Sequence, residues 1–316
     1  MSHLKAIDAL LLLMALIWGT NYSIVKSAFR EIDPQAFNAV RMTIGSCVFL
    51  GLIVGIRRLR LAQAGEPPRD GAGSIASIFH TPAPLTRRDW ISLAGLGVIG
   101  HFTYQYLFIG GLARTSVANS SLTLAATPVA IAFLTAALGQ ERVSRVHWAG
   151  AALSMLGIYI IVGRDVALGE DALTGDLMML GAVCCWAIYT IGGRQLMTRH
   201  SSVGVTGLSM AIGTLIYVPV MSGRVRDVDW AGLSAGTWLA LVYSALFALV
   251  VAYTIWYASV RLIGSARTSV YSNVVPLVAM ATAVAFLGEP LGASKIVGAC
   301  AVLVGVALTR IPGGGS

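Results

Sequence analysis

The amino-acid sequence predicts an all-α polytopic membrane protein with ten transmembrane helices, arranged as two inverted five-helix repeats. Of its 316 residues 56% are hydrophobic and only 11% are charged, whereas an average soluble chain has about 25% charged residues. The mean hydropathy of +0.77 agrees, and the second half of the chain repeats the first. This composition excludes a cytosolic enzyme, a nucleic-acid binder and a disordered chain.

Ten apolar runs are candidates for the spans, because a bilayer core of about 30 Å needs roughly 20 apolar residues per helix. They are residues 7–28, 36–56, 90–112, 115–138, 146–163, 174–193, 204–222, 236–259, 266–287 and 292–311. The first run lacks an A-x-A cleavage site, so we interpret it as a retained span and not as a signal peptide. Residues 57–89 are predicted to form a long cytoplasmic loop, and residues 312–316 a flexible tail.

The loop charges predict the orientation. With the N-terminus inside, the inner segments carry about twice as many basic residues as the outer ones. The positive-inside rule then places both termini in the cytoplasm and the protein in a bacterial-type inner membrane. The net charge of +8 is explained by these loops, and no nucleic-acid partner is expected. The four cysteines all lie in apolar runs without a CxxC pair, so we expect small core residues and neither a metal site nor a disulfide framework.

An internal repeat divides the chain into residues 7–163 and residues 174–311. The pairs related by an offset of 148 are Pro128 and Pro276, Glu141 and Glu289, Gly150 and Gly298, and Gly157 and Gly305. An offset of 168 pairs Trp18 with Trp186, and we expect these two rings to face each other. Five spans are an odd number, so the second repeat enters the membrane inverted. Inverted repeats place a substrate site near the midplane and operate by alternating access.

These motifs carry a family resemblance. Trp18-Gly19-Thr20-Asn21-Tyr22-Ser23 followed by Lys26, and Trp186-Ala187-Ile188-Tyr189 followed by Arg194, resemble the first and sixth helices of the drug/metabolite transporter superfamily. The stretches from Leu122 to Gly157 and from Ser269 to Gly305 are similar to the ends of two EamA-type repeats. Within that family the chain is most similar to bacterial amino-acid exporters, including the aromatic amino-acid branch. The resemblance implies ten spans, cytoplasmic termini and a cavity lined by helices 1, 3, 4, 6, 8 and 9.

Polar and aromatic side chains within the spans predict the cavity, because a polar group in a span normally faces the bundle interior or water. In span 3 His101, Tyr104 and Gln105 share one helical face with Phe108. The predicted cavity residues are Trp18, Asn21, Tyr22, His101, Tyr104, Gln105, Asn119, Thr123, Trp186, Tyr189, Tyr253, Trp256 and Asn273, and the predicted hinges are Pro128 and Pro276. For His101 an interhelical hydrogen bond is the alternative. For Arg41, a basic residue inside a span, pairing with a helix carbonyl or snorkelling outward is expected.

The acidic residues nearest the spans, Asp8, Glu141, Asp176 and Glu289, fall at span ends. A proton-coupled exporter of lipophilic cations would need a carboxylate at depth. The sequence therefore predicts a small neutral or zwitterionic solute that is moved without proton coupling. The family resemblance implies that such solutes are exported and that they are amino acids, including aromatic ones. A cationic-drug exporter is the alternative within the superfamily. A membrane-embedded enzyme would need a metal cluster, an acid/base pair or an activated nucleophile, and the sequence shows no such group.

The partners expected from the sequence are a small-molecule substrate and the lipid bilayer. No cofactor, no metal and no catalytic residue is predicted. The glycine-rich helices 5 and 10 could pack together within a monomer or between two copies in a homodimer, and the sequence leaves both open.

Overall fold

The structure, a computed structural model, describes residues 2–62, 76–79, 83–137, 145–162, 170–263, 268, 271–272 and 274–308. Within these ranges the regular structure is helical throughout, which confirms the all-α class. The α-helices are α1 (Ser2–Ala28), α2 (Pro34–Ala62), α3 (Ala76–Phe79), α4 (Arg87–Leu96), α5 (Tyr104–Arg114), α6 (Val117–Leu124), α7 (Thr127–Ala137), α8 (Arg145–Val162), α9 (Glu170–Met197), α10 (Ser202–Val220), α11 (Ser222–Arg226), α12 (Ala235–Tyr243), α13 (Ala252–Ile263), α14 (Val274–Thr282) and α15 (Ala293–Leu308). Three π-helical segments, Gly97–Thr103, Ser244–Val251 and Ala283–Leu287, continue α4, α12 and α14.

Five helical stretches are long and apolar enough to cross a membrane. They are Ala6–Ala28, Pro34–Leu59, Glu170–Met197, Ser202–Val220 and Ala235–Leu262. Shorter apolar helices accompany them, and large aliphatic and aromatic side chains such as Leu215 and Phe286 point outward from the bundle. Exposing so many apolar side chains to water would be unfavourable, whereas contact with lipid is favourable for them. The chain is therefore a polytopic membrane protein.

Side-chain caps fix the beginnings of four of these helices. Asp33 and Ser201 cap α2 and α10, and Thr86 and Ser234 cap α4 and α12. Each side-chain oxygen accepts a hydrogen bond from an amide of the first helical turn, which otherwise has no partner within the helix. Asp33 and Ser201 are 168 residues apart, and Thr86 and Ser234 are 148 apart. The same two offsets that relate the sequence motifs therefore also relate the helix starts.

The structure changes the predicted boundaries of the second span and of the loop that follows it. Helix α2 continues to Ala62, so Arg57 and Arg58 belong to a helix and not to the predicted loop 57–89. Its 29 residues are about 44 Å long at 1.5 Å per residue, so its last turns extend beyond a bilayer core of about 30 Å. Other parts of the predicted loop, and the whole tail 312–316, lie outside the described residues.

The cysteines differ from the expectation that they are core residues. Cys47, Cys184 and Cys300 are exposed on the outside of the bundle, and Cys185 is half-buried. A thiol is a small and weakly polar group that behaves as a hydrophobe, so it can face lipid as readily as it can fill a core. Hydropathy does not distinguish these two environments.

Helices α8 and α15 pack closely against each other within the chain, so this pairing of helices 5 and 10 does not need a second copy. A Cβ atom added to Gly157 would lie 2.7 Å from the carbonyl oxygen of Gly298, and one added to Gly305 would lie 2.5 Å from that of Gly150. Small residues allow two backbones to approach in this way. The two contacts correspond to each other under the offset of 148 seen in the sequence motifs, because 150 and 298, like 157 and 305, differ by 148.

Candidate functional site

A cavity lies in the centre of the bundle, between the helices of the two halves of the chain. Its volume is about 110 Å³. A single buried water needs about 10–15 Å³ on the same measure, so the cavity has room for a small solute. Its lining residues are Trp18, Asn21, Tyr22, Arg41, Tyr104, Gln105, Phe108, Ser121, Leu124, Ala125, Thr127, Ile131, Trp186, Ala248, Leu249, Tyr253, Trp256, Ser272, Val275 and Pro276.

Four aromatic side chains form one wall of this cavity, which we call the aromatic box: Trp18, Trp186, Tyr253 and Trp256. The ring centroids of Trp18 and Trp186 are 6.1 Å apart with the planes at 85°, so the two repeat-related rings meet as predicted. Trp18 also lies 5.8 Å from Tyr253 and 5.6 Å from Trp256. Its indole nitrogen donates a hydrogen bond of 3.1 Å to the carbonyl of Ala248, which holds the ring in place. The box offers edge and face contacts to an apolar or aromatic group.

Arg41 brings a buried guanidinium to the cavity, and this corrects the expectation that it pairs with a helix carbonyl or snorkels outward. The side chain is only 1% exposed. It donates to Asn38 Oδ1 at 2.7 and 3.0 Å, to Ser244 Oγ at 2.9 Å and to Gln105 Oε1 at 2.6 Å. These partners lie on three different parts of the fold, so sequence spacing could indicate only Asn38, which is one helical turn away. Within the described residues Arg41 forms no ion pair.

His101 does not line the cavity, although the helical period placed it on one face with Tyr104 and Gln105. Its Nε2 atom lies 3.1 Å from the hydroxyl of Tyr189, and that hydroxyl lies 3.3 Å from the hydroxyl of Ser209. The physical reason is the π-helical segment Gly97–Thr103, which ends between His101 and Tyr104. A period of 3.6 residues does not hold across a turn with i→i+5 hydrogen bonds. The alternative, an interhelical hydrogen bond, is what the structure shows.

The remaining predicted residues divide between the cavity and the helix interfaces. Those that line the cavity are Trp18, Asn21, Tyr22, Tyr104, Gln105, Trp186, Tyr253, Trp256 and Pro276, and those that do not are His101, Asn119, Thr123 and Tyr189. Asn119 instead faces α9, where its amide lies 3.4 Å from Asp176 Oδ2. Asn273 lies outside the described residues. Several lining residues were missed, among them Leu124, Ile131 and Leu249, because an apolar residue carries no distinguishing signal in an apolar helix.

Both predicted hinge prolines occupy the first turn of a helix. Pro128 is the second residue of α7, which follows a turn at residues 125–126, and Pro276 is the third residue of α14. A proline is tolerated there because the amide of the first turn has no partner within the helix. The predicted span 115–138 is broken into α6 and α7 by the turn at residues 125–126, beside the cavity. A hinge role for the two prolines stays a prediction.

Two buried polar atoms at the cavity have no hydrogen-bond partner in the described part of the protein. They are the amide oxygen Oδ1 of Asn21 and the indole nitrogen Nε1 of Trp256. A buried polar group without a partner is costly, and both residues belong to the cavity lining. One is an acceptor and the other a donor, so together they can hold a ligand that has both kinds of group. In the described residues no group of three histidine, cysteine or acidic side chains could hold a metal ion.

Charged residues connect several helices where α1 ends, beside a second pocket that Lys26, Arg30 and Glu289 help to line. The Glu289 carboxylate accepts hydrogen bonds from the amides of Val117 and Ala118 at 2.8 and 3.3 Å, at the first turn of α6. Lys26 donates to the carbonyls of Leu112, at 3.2 Å, and Thr115. A carboxylate at a helix N-terminus and a cation at helix-terminal carbonyls both have favourable signs. These contacts tie α1, α5, α6 and the connection after α14 together.

A second charged cluster lies at the beginning of α4. Asp89 Oδ2 accepts hydrogen bonds from the amide and the hydroxyl of Thr86 at 2.9 and 2.8 Å, and it lies 3.0 Å from Arg199 Nη2 and 3.2 Å from His200 Nε2. The hydrogen bond from the Thr86 backbone, together with that from its hydroxyl, lowers the pKa of Asp89 to about 2. The cluster ties the beginning of α4 to the connection between α9 and α10.

Comparison with known proteins finds matches along nearly the whole length of the chain. A profile of the EamA-like transporter family matches residues 5–69, 71–163 and 173–311. The uncharacterised transporter YyaM of Bacillus subtilis is 24% identical, over 99% of this chain and 97% of its own length. A probable amino-acid metabolite efflux pump of Salmonella typhimurium is 25% identical over 94% of this chain and 92% of its own. A probable terminal-alkyne amino-acid exporter of Streptantibioticus cattleyicolor is 29% identical over 87% and 88%.

The fold has also been observed in a solved protein. One crystal structure matches with a TM-score of 0.61 over 96% of this chain and 97% of that chain, at 17% sequence identity.

Proposed function

The chain belongs to the EamA-like transporter family, and we propose that it exports small neutral or zwitterionic metabolites, amino acids including aromatic ones. The observation that carries this proposal is the central cavity with its aromatic box and its two unpartnered polar atoms. An apolar space with a few convergent polar groups is the usual form of a small-molecule site. Relatives whose names refer to amino-acid efflux or export support the substrate class.

We propose that the transport unit has ten spans in two inverted repeats, residues 7–163 and 174–311. The helix caps at offsets of 168 and 148 support it, as does the reciprocal glycine contact of α8 and α15. The hydroxyls of Ser46 and Thr214, which are 168 residues apart, meet at 2.8 Å. Residues that occupy the same place in two repeats touch each other only near the axis that relates them, so such contacts favour a two-fold axis.

We propose that the two halves expose the cavity alternately to either side of an inner membrane, with both termini in the cytoplasm. The π-helical segments Gly97–Thr103 and Ser244–Val251 support an equivalent role for spans 3 and 8, because their beginnings differ by 147 residues. The charged contacts of Glu289 and Lys26 would form a closure at the outer end. The Asp89 cluster would hold the inner ends of α4 and α9.

Transport without proton coupling is proposed because no carboxylate belongs to the cavity lining among the described residues. A coupled exporter needs a group that exchanges a proton for substrate. The His101 imidazole, which is buried against Tyr189 and lies 6.1 Å from the ring of Tyr253, is the alternative group for a proton. Steady-state accumulation that follows an imposed proton gradient would contradict the uncoupled mechanism.

Counterflow into proteoliposomes tests the proposed function. Purified protein is reconstituted, the vesicles are loaded with one unlabelled amino acid at a time, and entry of the labelled compound is followed. We expect transient accumulation with phenylalanine or tryptophan inside, and a reduction of at least tenfold in Trp18→Ala, which removes the centre of the aromatic box. Trp90→Ala is the matched control, because Trp90 is 46% exposed and does not belong to the cavity lining. Equal rates in the two variants would contradict a substrate site at the box.

Export of cationic drugs is the second candidate, because the faces of tryptophan and tyrosine rings attract cations. The same counterflow assay separates the two functions when a lipophilic cation replaces the amino acid. A membrane-embedded enzyme is disfavoured by the family and by its transporter relatives.

A further inference from the structure

We propose that Arg41 binds the carboxylate of the transported solute, so that the cavity accepts carboxylate-bearing compounds and rejects cations. This inference rests on the proposed function and goes beyond it, because it assigns the charge of the substrate to one residue. Arg41 lies on α2, a helix that the sequence did not place at the cavity.

The buried charge of Arg41 has no counter-charge in the described residues. A guanidinium remains protonated in proteins, and that of Arg41 is 1% exposed. Its partners Asn38, Gln105 and Ser244 are neutral, and in the described chain it has no carboxylate partner. Burying an isolated charge is costly, and buried charges are normally paired. We therefore expect the charge of Arg41 to favour an anionic group of the solute and to disfavour a cationic one.

The Arg41 guanidinium also has one N–H group that donates no hydrogen bond within the described residues. A guanidinium has five N–H groups. The hydrogen bonds of Arg41 engage the Nε–H group, both N–H groups of Nη2 and one of Nη1. One N–H of Nη1 remains, and Arg41 belongs to the cavity lining. The existing bonds also hold the guanidinium in one orientation, so binding a carboxylate would cost little further ordering.

The other unpartnered atoms of the lining fit the rest of an amino acid. Asn21 Oδ1 is an acceptor that can bind the ammonium group, and Trp256 Nε1 is a donor that can bind the carboxylate. Asn21 lies one helical turn from Trp18 on α1, so an ammonium near it would also meet the aromatic box. In this arrangement the carboxylate makes the charge-assisted contact, and loss of the carboxylate should cost more than loss of the ammonium.

A competition series with the unaltered protein tests the inference without any mutation. Phenylalanine counterflow is challenged with phenylalanine, with phenylalaninamide, which lacks the carboxylate, and with 3-phenylpropionate, which lacks the ammonium. We expect the amide to need at least a tenfold higher concentration than phenylalanine for half-inhibition, and 3-phenylpropionate to need less of an increase. Equal inhibition by phenylalanine and its amide would overturn the inference while leaving amino-acid transport intact.

Binding to the detergent-solubilised protein, followed by quenching of tryptophan fluorescence, covers the case in which phenylalanine is not transported. The panel consists of matched pairs of carboxylates and amides with aromatic or branched side chains. Preference for the carboxylate within the pairs supports the role of Arg41 even if the solute of the proposed function is wrong. Preference for the amides, or no binding of any carboxylate in the panel, overturns it.

Two substitutions then assign the selectivity to the residue. Arg41→Gln should reduce the carboxylate-to-amide preference towards one, whereas Arg41→Lys should retain part of it, because the positive charge remains. Thr43→Ala is the matched control, since Thr43 lies on the same helix, is exposed and donates its hydrogen bond to the Ala39 carbonyl and not to the site. A ratio of two ligands measured on one preparation does not depend on how much of a variant folds. An unchanged ratio in Arg41→Gln would show that Arg41 only holds α2 to Gln105 and Ser244.

Discussion

Replacing Gly157 with alanine should weaken the contact between α8 and α15, and the structure gives the size of the effect. The added Cβ would lie 2.7 Å from the Gly298 carbonyl oxygen and 2.8 Å from the Val302 amide nitrogen, whereas ordinary contact begins at 3.4 Å. The shortfall is about 0.6–0.7 Å against two backbone atoms, which cannot rotate away. Overpacking of this kind costs about 1–3 kcal/mol. The higher helix propensity of alanine offsets about 1 kcal/mol of this cost to the free energy of unfolding.

Gly55→Ala is the matched control, because Gly55 is also helical and nothing lies within 4 Å of the added Cβ. That variant gains the helix propensity without the clash, so the two variants should differ by roughly 2 kcal/mol. At about 2–4 °C per kcal/mol this is a difference of roughly 4–8 °C in Tm. The measurement is the loss of monodisperse protein on size-exclusion chromatography after heating in detergent. If Gly157→Ala melts as high as Gly55→Ala, the two helices do not pack through this glycine.

Three further predictions concern the charged clusters and the π-helical segment. Glu289→Gln should raise hydrogen–deuterium exchange at the first turn of α6 several-fold, because the amides of Val117 and Ala118 lose a charged acceptor; Glu170→Gln, an exposed residue, should leave α6 unchanged. Asp89 has a pKa of about 2 against an ordinary 3.8, so its stabilising contribution is present above about pH 4 and is lost as the pH falls towards 2. The Tm advantage of the unaltered protein over Asp89→Asn should therefore be full at pH 6 and shrink at pH 3, and a difference independent of pH would contradict this. His101→Ala should lower the Tm, because it removes the hydrogen bond to Tyr189, and it should change the half-inhibitory concentration of a bound amino acid much less than Trp18→Ala does, because His101 touches the aromatic box only through its ring contact with Tyr253 at 6.1 Å.

Much of the fold follows from properties that act locally along the chain. Hydropathy and the scarcity of charge predict helices in a membrane, and the capping residues Asp33, Thr86, Ser201 and Ser234 lie where short polar side chains precede apolar runs. The meeting of Trp18 and Trp186 could be predicted because the proposed repeat pairs these two residues at an offset of 168. A feature of the fold can be predicted from the sequence when it depends only on a residue and on the helix that contains it.

The parts of the site that could not be predicted depend on contacts between distant segments. Arg41 stays inside the bundle because Gln105 and Ser244, which are 64 and 203 residues away, accept its hydrogen bonds. Taken alone, a basic residue in a span is expected to seek the interface. Helix boundaries such as Ala62 were misjudged for a related reason, since basic residues mark the edge of the apolar core and not the end of the helix.

One of the π-helical segments contributes directly to the cavity and to the position of Arg41. The π-helical segment Ser244–Val251 gives three of its residues to the site: Ser244 accepts the hydrogen bond of Arg41, and Ala248 and Leu249 line the cavity. In a regular α-helix residues i and i+4 share a face, and i+5 turns away from it. A wider turn with i→i+5 hydrogen bonds brings i, i+4 and i+5 to the same side. The segment thus supplies an acceptor that orients the buried guanidinium together with the small and apolar surface beside it, which a regular helix of the same sequence would separate.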